Sequence, residues 1–507
     1  MRISDCGLRI INDVLRTALL VFGTICLITT PAHAADDPVQ KAMKAYEKHR
    51  YEDAARDLRA ALPSLEQSRQ SSAQLALGMI YLKSAELHRG LAQLSAVVSA
   101  DYLKRLAADR GAGRSQYSDL YFGLALLEGG KVEAAQAPLE KFLAGSGGAK
   151  EKAIAKIALG TAAHLRGDKQ KAQELWAAVD ASHPDVRTGL AAAYSRAGMT
   201  DKAPASVCDD AFAEIKKSGK QPSISTVNNC AALYGRTGHM DRGFDLLQRS
   251  DLKAYSYRES IGKSKTLSFY DVQLLSNLSA FYLQASIAIL EKASTDPQLK
   301  GIAGYYLGEA YTLAGNQDQA TKSTALFLAS PQMPPQYKNR AMVRQGALQH
   351  QKGKQAEAIG VWDDLTRKQP NDPELLSDIL VACGRLRIDC PRIAQTSSAA
   401  VEAGDGKRFA VLNVGLGRYY LSQKDTAKAV SYLEAGRDKG NKNKIESNDP
   451  VMLVDLSDAY YRSKKFSEAL EIYFEMSKQF PQVRQVQEAL QGIYAMEHKS
   501  AGDVKIN

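Results

Sequence analysis

The chain has 507 residues, 45% of them hydrophobic and 7% aromatic, with 66 Lys and Arg against 56 Asp and Glu, a formal charge of +10. That length is too great for one globular core, so the chain must divide into domains or repeat a small unit with its own local core. The charge is mild for the length and spread among acidic and basic stretches, which gives no ground for nucleic-acid binding. Strand-like alternation and low-complexity tracts are absent, so almost no sheet is expected.

The N-terminus reads as a secretory signal. Arg2, Arg9 and Arg16 precede the apolar run Ala18–Ile28, followed by the small-x-small site Ala32-His33-Ala34 and the polar Ala35-Asp36-Asp37-Pro38. The apolar run is too short for a stable bilayer anchor. Ile25 before Cys26 is not the small residue that a lipid-modification signal requires. Residues 1–34 are therefore expected to leave by cleavage after Ala34, giving an exported, periplasmic mature chain without a transmembrane segment.

From about Pro38 to Tyr494 one pattern returns, as in Leu120–Leu143, Lys156–Val179, Tyr305–Leu328 and Val411–Gly436. A first small residue sits in an apolar stretch: Gly78, Gly123, Gly160, Gly308, Gly346 and Gly417, with Ala42, Ala191, Ala231 and Ser457 in weaker copies. Seven places later comes a turn residue, often glycine: Gly130, Gly167, Gly198, Gly238, Gly315 and Gly353. Twelve places after the first comes a second small residue: Ala54, Gly90, Ala135, Ala172, Ala203, Gly243, Ala320, Ala358, Ala429 and Ala469. Apolar spacing of three and four on both sides of the turn predicts a helical hairpin. Glycine past the first helix supplies the left-handed conformation that stops it. The small residues let the helix backbones approach; a leucine there would overpack the contact at roughly 1–3 kcal/mol. One hairpin cannot cover its own apolar face, so neighbours must stack.

Three insertions interrupt the pattern: Ala100–Gln116, Ser250–Leu267 and Arg437–Pro450. Loops on a rigid scaffold are places for contacts. The middle one carries Tyr255, Tyr257, Arg258, Lys263 and Lys265 as a candidate patch. Phe269–Lys292 is helical but departs from the repeat, either as one long helix or as an irregular hairpin, and is the expected hinge. The expected division is a signal at 1–34, an N-terminal superhelix at 35–248, an irregular region at 249–299, a C-terminal superhelix at 300–500 and a tail at 501–507.

Four cysteines follow the signal, in two sequence-local pairs. In an oxidising compartment Cys208–Cys230 and Cys383–Cys390 are the expected bridges, worth roughly 3 and 2 kcal/mol by loop closure; four buried thiols are the alternative. No histidine lies close to either pair, which does not favour a metal site. The histidines form no His-Glu-x-x-His motif, and no Gly-x-Ser-x-Gly elbow occurs. Gly145–Lys150 has the glycines of a phosphate loop but the wrong spacing and no preceding strand, so it reads as a turn. Catalytic residues, cofactors and metals are therefore not expected.

The repeat resembles the tetratricopeptide repeat, whose 34-residue unit ends on a proline; Pro370 and Pro481 sit at that place. Lys156–Val179, Arg340–Pro370 and Pro450–Pro481 match best, while longer spacings such as Gly123 to Gly160 mark the copies as degenerate. The resemblance implies an all-α solenoid of about ten hairpins in a right-handed superhelix, with first helices lining a concave groove that grips an extended peptide or partner helix. On that geometry the groove candidates are His164, Tyr305, Glu309, Arg340, His350, Arg418, Asp458 and Tyr461. Met79, Leu82, Leu120, Leu124 and Leu127 would make the N-terminal groove greasier. The family's carboxylate clamp, a lysine and asparagine at fixed inward places, is not evident. The expected function is a non-catalytic periplasmic scaffold for proteins or peptides of a cell-envelope complex, with oligomeric state open. Exopolysaccharide secretion, or assembly of pili, flagella or outer-membrane proteins, are alternative settings for the same role.

Overall fold

A computed structural model describes residues 37–108, 118–247, 269–330, 335–403, 410–437, 448–480 and 484–500. The expected signal, the tail at 501–507 and the patch of Tyr255, Tyr257, Arg258, Lys263 and Lys265 lie outside the described residues.

Among the described residues the chain is all-α, with no strand. The early helices are α1 (Pro38–Glu47), α2 (Tyr51–Ala61), α3 (Gln67–Ala108), α4 (Ser118–Glu128), α5 (Val132–Ala144), α6 (Ala149–Leu165), α7 (Lys169–Ala177) and α8 (Pro184–Arg196). Next come α9 (Ser206–Lys217), α10 (Ile224–Arg236), α11 (Met240–Leu247), α12 (Phe269–Ala293), α13 (Lys300–Leu313), α14 (Gln317–Leu328), α15 (Pro335–Gln351) and α16 (Gln355–Lys368). The last are α17 (Pro373–Leu386), α18 (Pro391–Ala403), α19 (Ala410–Ser422), α20 (Thr426–Gly436), α21 (Pro450–Arg462), α22 (Phe466–Gln479) and α23 (Arg484–Ser500). Hairpin partners pack on each other, and first helices such as α15, α17 and α19 pack on the next first helix, which makes the array a solenoid.

The repeat frame accounts for each hairpin's local geometry. Gly130, Gly167, Gly198, Gly238, Gly315 and Gly353 all take positive φ, between 72° and 91°. His49, Lys424 and Lys464 hold the same place in the frame and also take positive φ, so the turn geometry persists where glycine is missing. One residue further on, Asp168, Asn316 and Asp425 cap the second helices, accepting from the N–H groups of Lys171, Gln319 and Lys428 at 3.0–3.2 Å. The second small residues Ala54, Ala135, Ala172, Ala203, Ala320, Ala358, Ala429 and Ala469 are all 0% exposed. Sixteen places after the first small residue stands a side chain that fills the space above it: Leu139 over Gly123, Trp176 over Gly160, Trp362 over Gly346 and Leu433 over Gly417.

The expected hairpin about Gly78 and Gly90 is not formed: both lie in the 42-residue α3. The reason is local. The turn place holds Ala85 and the cap place Glu86, so neither a left-handed residue nor an N-cap is present to break the helix. The same helix takes residues 100–108 of the expected Ala100–Gln116 loop. The 269–293 segment, left open between a long helix and an irregular hairpin, is one helix, α12.

The contacts fall into two compact units: residues through Ser84 with Ala285–Lys465, and Ala85–Gln284 with the residues from Phe466 onward. They interleave along the chain and do not follow the expected division at 249–299. In the first unit, Gly78 seats against Leu290 and its carbonyl accepts from Ser286 at 2.8 Å. In the second, Ser279 donates to the Ala85 carbonyl at 2.8 Å, and Arg105 pairs with Glu497 at 2.5 Å. Asp185, 5% exposed at the start of α8, accepts from Lys150, Ser223 and Thr226 and so ties α6, α8 and α10 together.

Both cysteine pairs are bonded, with Cα–Cα separations of 5.5 Å for Cys208–Cys230 and 6.4 Å for Cys383–Cys390. The second spans the α17–α18 turn, where Arg387 takes φ of 55° in place of a glycine.

Candidate binding face of the first helices

The first unit carries its most developed polar cluster where α13, α15 and α17 meet, and a departure from the frame creates it. Sixteen places after Gly308 stands Thr324, which is small, and the guanidinium of Arg344 from the next hairpin enters the space over Gly308. Arg344 is 8% exposed; it donates to the Tyr305 carbonyl at 2.8 Å, faces Glu309 at 3.4 Å and lies 4.7 Å from the Tyr305 ring centre. Tyr305 donates its hydroxyl to Glu309 at 2.9 Å, and its ring meets Tyr306, Phe327 and Tyr337 edge-on or tilted at 4.9–5.2 Å. Arg340 then bridges to α17, donating to Asp378 at 3.0 Å and to Glu374 at 3.4 Å.

Similar contacts recur one hairpin apart. Arg418 on α19 pairs with Asp455 on α21 at 2.5 Å, while Asp458 pairs within α21 with Arg462 at 2.7 Å. Lys83 reaches Asp449, at the cap of α21, at 3.3 Å. Burial pushes the Asp378, Asp455 and Asp458 carboxyls up, with Arg340, Arg418 and Arg462 pulling the other way. Asp378 and Asp455 nevertheless keep 32% and 28% of their side-chain surface. They are hemmed in by protein yet still reach solvent.

Of the eight groove candidates, the structure brings Tyr305, Glu309 and Arg340 into one cluster. Tyr305 is not a groove contact: at 2% exposure its ring is core, and burial raises its hydroxyl pKa well above the ordinary value. Arg418 and Asp458 stand in the next pairs, with Tyr461 beside them in sequence on half-buried ground. His350 sits apart in the last turn of α15. His164 belongs to the second unit, at the end of α6, with its ring 6.0 Å from that of Trp176. Leu120 and Leu124 are 1% and 5% exposed in a packed core, and Met79 and Leu82 are buried, so the expected apolar groove there is interior.

Arg344, Asp378 and Asp455 were not singled out in the sequence. All three stand two places before the frame's first position, held by Gly346, Leu380 and Ser457, and all three reach back to the preceding first helix. A charged residue at that place is the signal that would have found them. Among the described residues no group of three His, Cys, Asp or Glu is placed to hold a metal ion, and no helix is long and apolar enough to cross a membrane.

The hairpins are tetratricopeptide-like in their small-residue contacts, turns and stacking. No protein-family model and no curated protein matches the sequence. Among solved structures, the chain is similar to one in the crystal structure of the APC/C hetero-tetramer Cut9-Hcn1 at 13% identity, covering 89% of this chain and 94% of that one, with a TM-score of 0.28. It is similar to yeast Tom70 at 15% identity, covering 92% and 95%, with a TM-score of 0.30. At such identities and scores the fold assignment rests on the hairpins themselves.

Proposed function

We propose that the protein is a non-catalytic scaffold that binds other proteins along the first-helix face, within an exported cell-envelope complex. The observation that carries this reading is the run of charged pairs between consecutive first helices, whose carboxylates are crowded by protein yet remain about one-third open. Charges that serve the fold alone are better replaced by apolar packing. Kept at an open face, they suit partner groups of complementary charge. Export is supported by the sequence of residues 1–34 and by two disulfides, which persist in oxidising compartments.

The test is crosslinking and affinity capture from the envelope fraction, comparing the native chain with Arg340→Gln and Arg418→Gln. Specific protein partners lost from both variants, with unfolding unchanged, support the reading. Recovery of a glycan and no protein sinks it. Alkylation of the unreduced exported protein should leave Cys208, Cys230, Cys383 and Cys390 unmodified; four reactive thiols would remove the compartment argument.

A further inference from the structure

The two disulfides stand in different settings. Cys208 on α9 and Cys230 on α10 are both 0% exposed and pack with Ala191, Ala203, Leu233 and Tyr234, so a reagent reaches them only if two helices part. Cys383 is also 0% exposed, in the last turn of α17, but its partner Cys390 is 8% exposed and lies in a turn between exposed Asp389 and Pro391. Exchange at a disulfide follows access to its sulfurs, and a turn opens more readily than a pair of packed helices.

The α17–α18 hairpin also lacks devices that hold others in the frame. Leu380 stands at the first small place, so there is no glycine seat for a counterpart of Trp362 or Leu433. The buried residues of α18 are Ile393, Ala394 and Ser397, and the Ser397 hydroxyl has no hydrogen-bond partner among the described residues. Cys390 takes the N-cap place, its carbonyl accepting from the Ala394 N–H at 3.0 Å, where Asp168, Asn316 and Asp425 cap other second helices with a side-chain oxygen. The disulfide thus carries attachment that side chains carry elsewhere. From the far side, Tyr419 on α19 donates its hydroxyl to Asp389 at 2.6 Å and accepts from the Cys390 N–H at 3.2 Å, and Gln423 donates to the Ile388 carbonyl at 3.3 Å. These bonds do not involve sulfur, so they keep the turn in place when the disulfide opens and let it close again.

We propose that Cys383–Cys390 is a thiol-exchange site that takes a dithiol, and that its opening loosens α18 while Cys208–Cys230 stays closed. The dithiol attacks the Cys390 Sγ as a thiolate; the S–S bond breaks and its electron pair leaves on the Cys383 Sγ, which takes a proton. The second thiol of the reagent, as a thiolate, attacks the mixed disulfide, expels the Cys390 thiolate and closes the reagent's own disulfide, so two electrons pass to the protein. The N-terminus of α18 stabilises the thiolate on Cys390. Because α17 carries Glu374 and Asp378, which accept from Arg340, the loosened helix belongs to a hairpin that supplies the binding face. That consequence rests on the scaffold reading; the exchange does not.

The full mature chain, in its oxidised form, is equilibrated in dithiothreitol buffers of graded reduced-to-oxidised ratio, quenched with iodoacetamide and digested for mass spectrometry. Cys383 and Cys390 are expected to become alkylated at a ratio roughly tenfold or more below the one that Cys208 and Cys230 need. At that ratio hydrogen exchange in α18 should quicken roughly tenfold or more while α16 is unchanged. A Cys383→Ser/Cys390→Ser variant should show the same fast exchange without reductant. Opening of both disulfides at one ratio, or of Cys208–Cys230 first, would overturn the site. So would unchanged α18 exchange in the reduced protein and the variant, or global unfolding of the variant, which would make the bond a staple of the whole unit. Neither readout uses a partner, so failure here is distinguishable from failed capture with Arg340→Gln and Arg418→Gln.

Discussion

Two glycines of the same hairpin should respond in opposite directions to the same substitution. Gly346 lies in α15 under Trp362, and a Cβ there would stand 2.5 Å from the indole nitrogen and 3.0 and 3.2 Å from two ring carbons. Trp362 is 0% exposed, and its N–H donates to the Val343 carbonyl at 3.0 Å, so the ring has little freedom to move. Gly360 lies in α16 with no atom within 4 Å of its added Cβ. Both positions are helical, so Gly→Ala gains about 0.5–1 kcal/mol of helix stability at each. At Gly360 nothing opposes that gain. At Gly346 overpacking costs about 1–3 kcal/mol, and a strained indole bond about 0.5–1.5 kcal/mol more. The net expectation is a loss near ~2 kcal/mol for Gly346→Ala and a gain of up to ~1 kcal/mol for Gly360→Ala. The chain has two tryptophans, Trp176 and Trp362, one in each compact unit. Urea unfolding in a Trp176→Phe background therefore follows the first unit through Trp362 emission. If Gly346→Ala unfolds at or above the parent midpoint while Gly360→Ala gains as expected, the close seat of the indole is refuted.

Burial pushes the Asp185 carboxyl up, but Lys150, Ser223 and Thr226 outweigh it and hold the pKa below the ordinary value. Its contribution is thus present above the unfolded carboxylate pKa near ~4 and is lost as pH falls through the lower folded value. Asp185→Asn should cost about 1.5–3 kcal/mol at neutral pH and flatten the acid limb of stability followed by Trp176 emission; parallel limbs in both proteins would contradict this. Tyr305→Ala should cost about 3–5 kcal/mol and Tyr305→Phe about 0.5–1.5 kcal/mol, both read through Trp362. An Ala variant of native stability that loses its partner would return the ring to the binding face.

The candidate site was legible only in part. Glu309, Arg340, Arg418 and Asp458 were identified by their places on first helices, and the structure shows each engaged in or beside a charged pair. Tyr305 followed the same spacing yet proved to be core, because its ring packs against those of Tyr306, Phe327 and Tyr337. Asp378 was invisible because Leu380 replaces the small residue that marks the frame.

What could be read along the chain is what a few neighbouring residues decide. A small residue, a left-handed residue seven places on, an N-cap after it and a second small residue each act over one or two turns, so they specify hairpins wherever they fall. Their lack at Ala85 and Glu86 makes α3 continuous for the same reason. The partners of each hairpin required the fold. Whether a large residue or a small one stands over a glycine decides if a neighbour's arginine can enter, as at Gly308. That residues 466–500 join 85–284, and residues 38–84 join 285–465, depends on the fit of side-chain volumes between segments far apart in sequence, which no local pattern encodes.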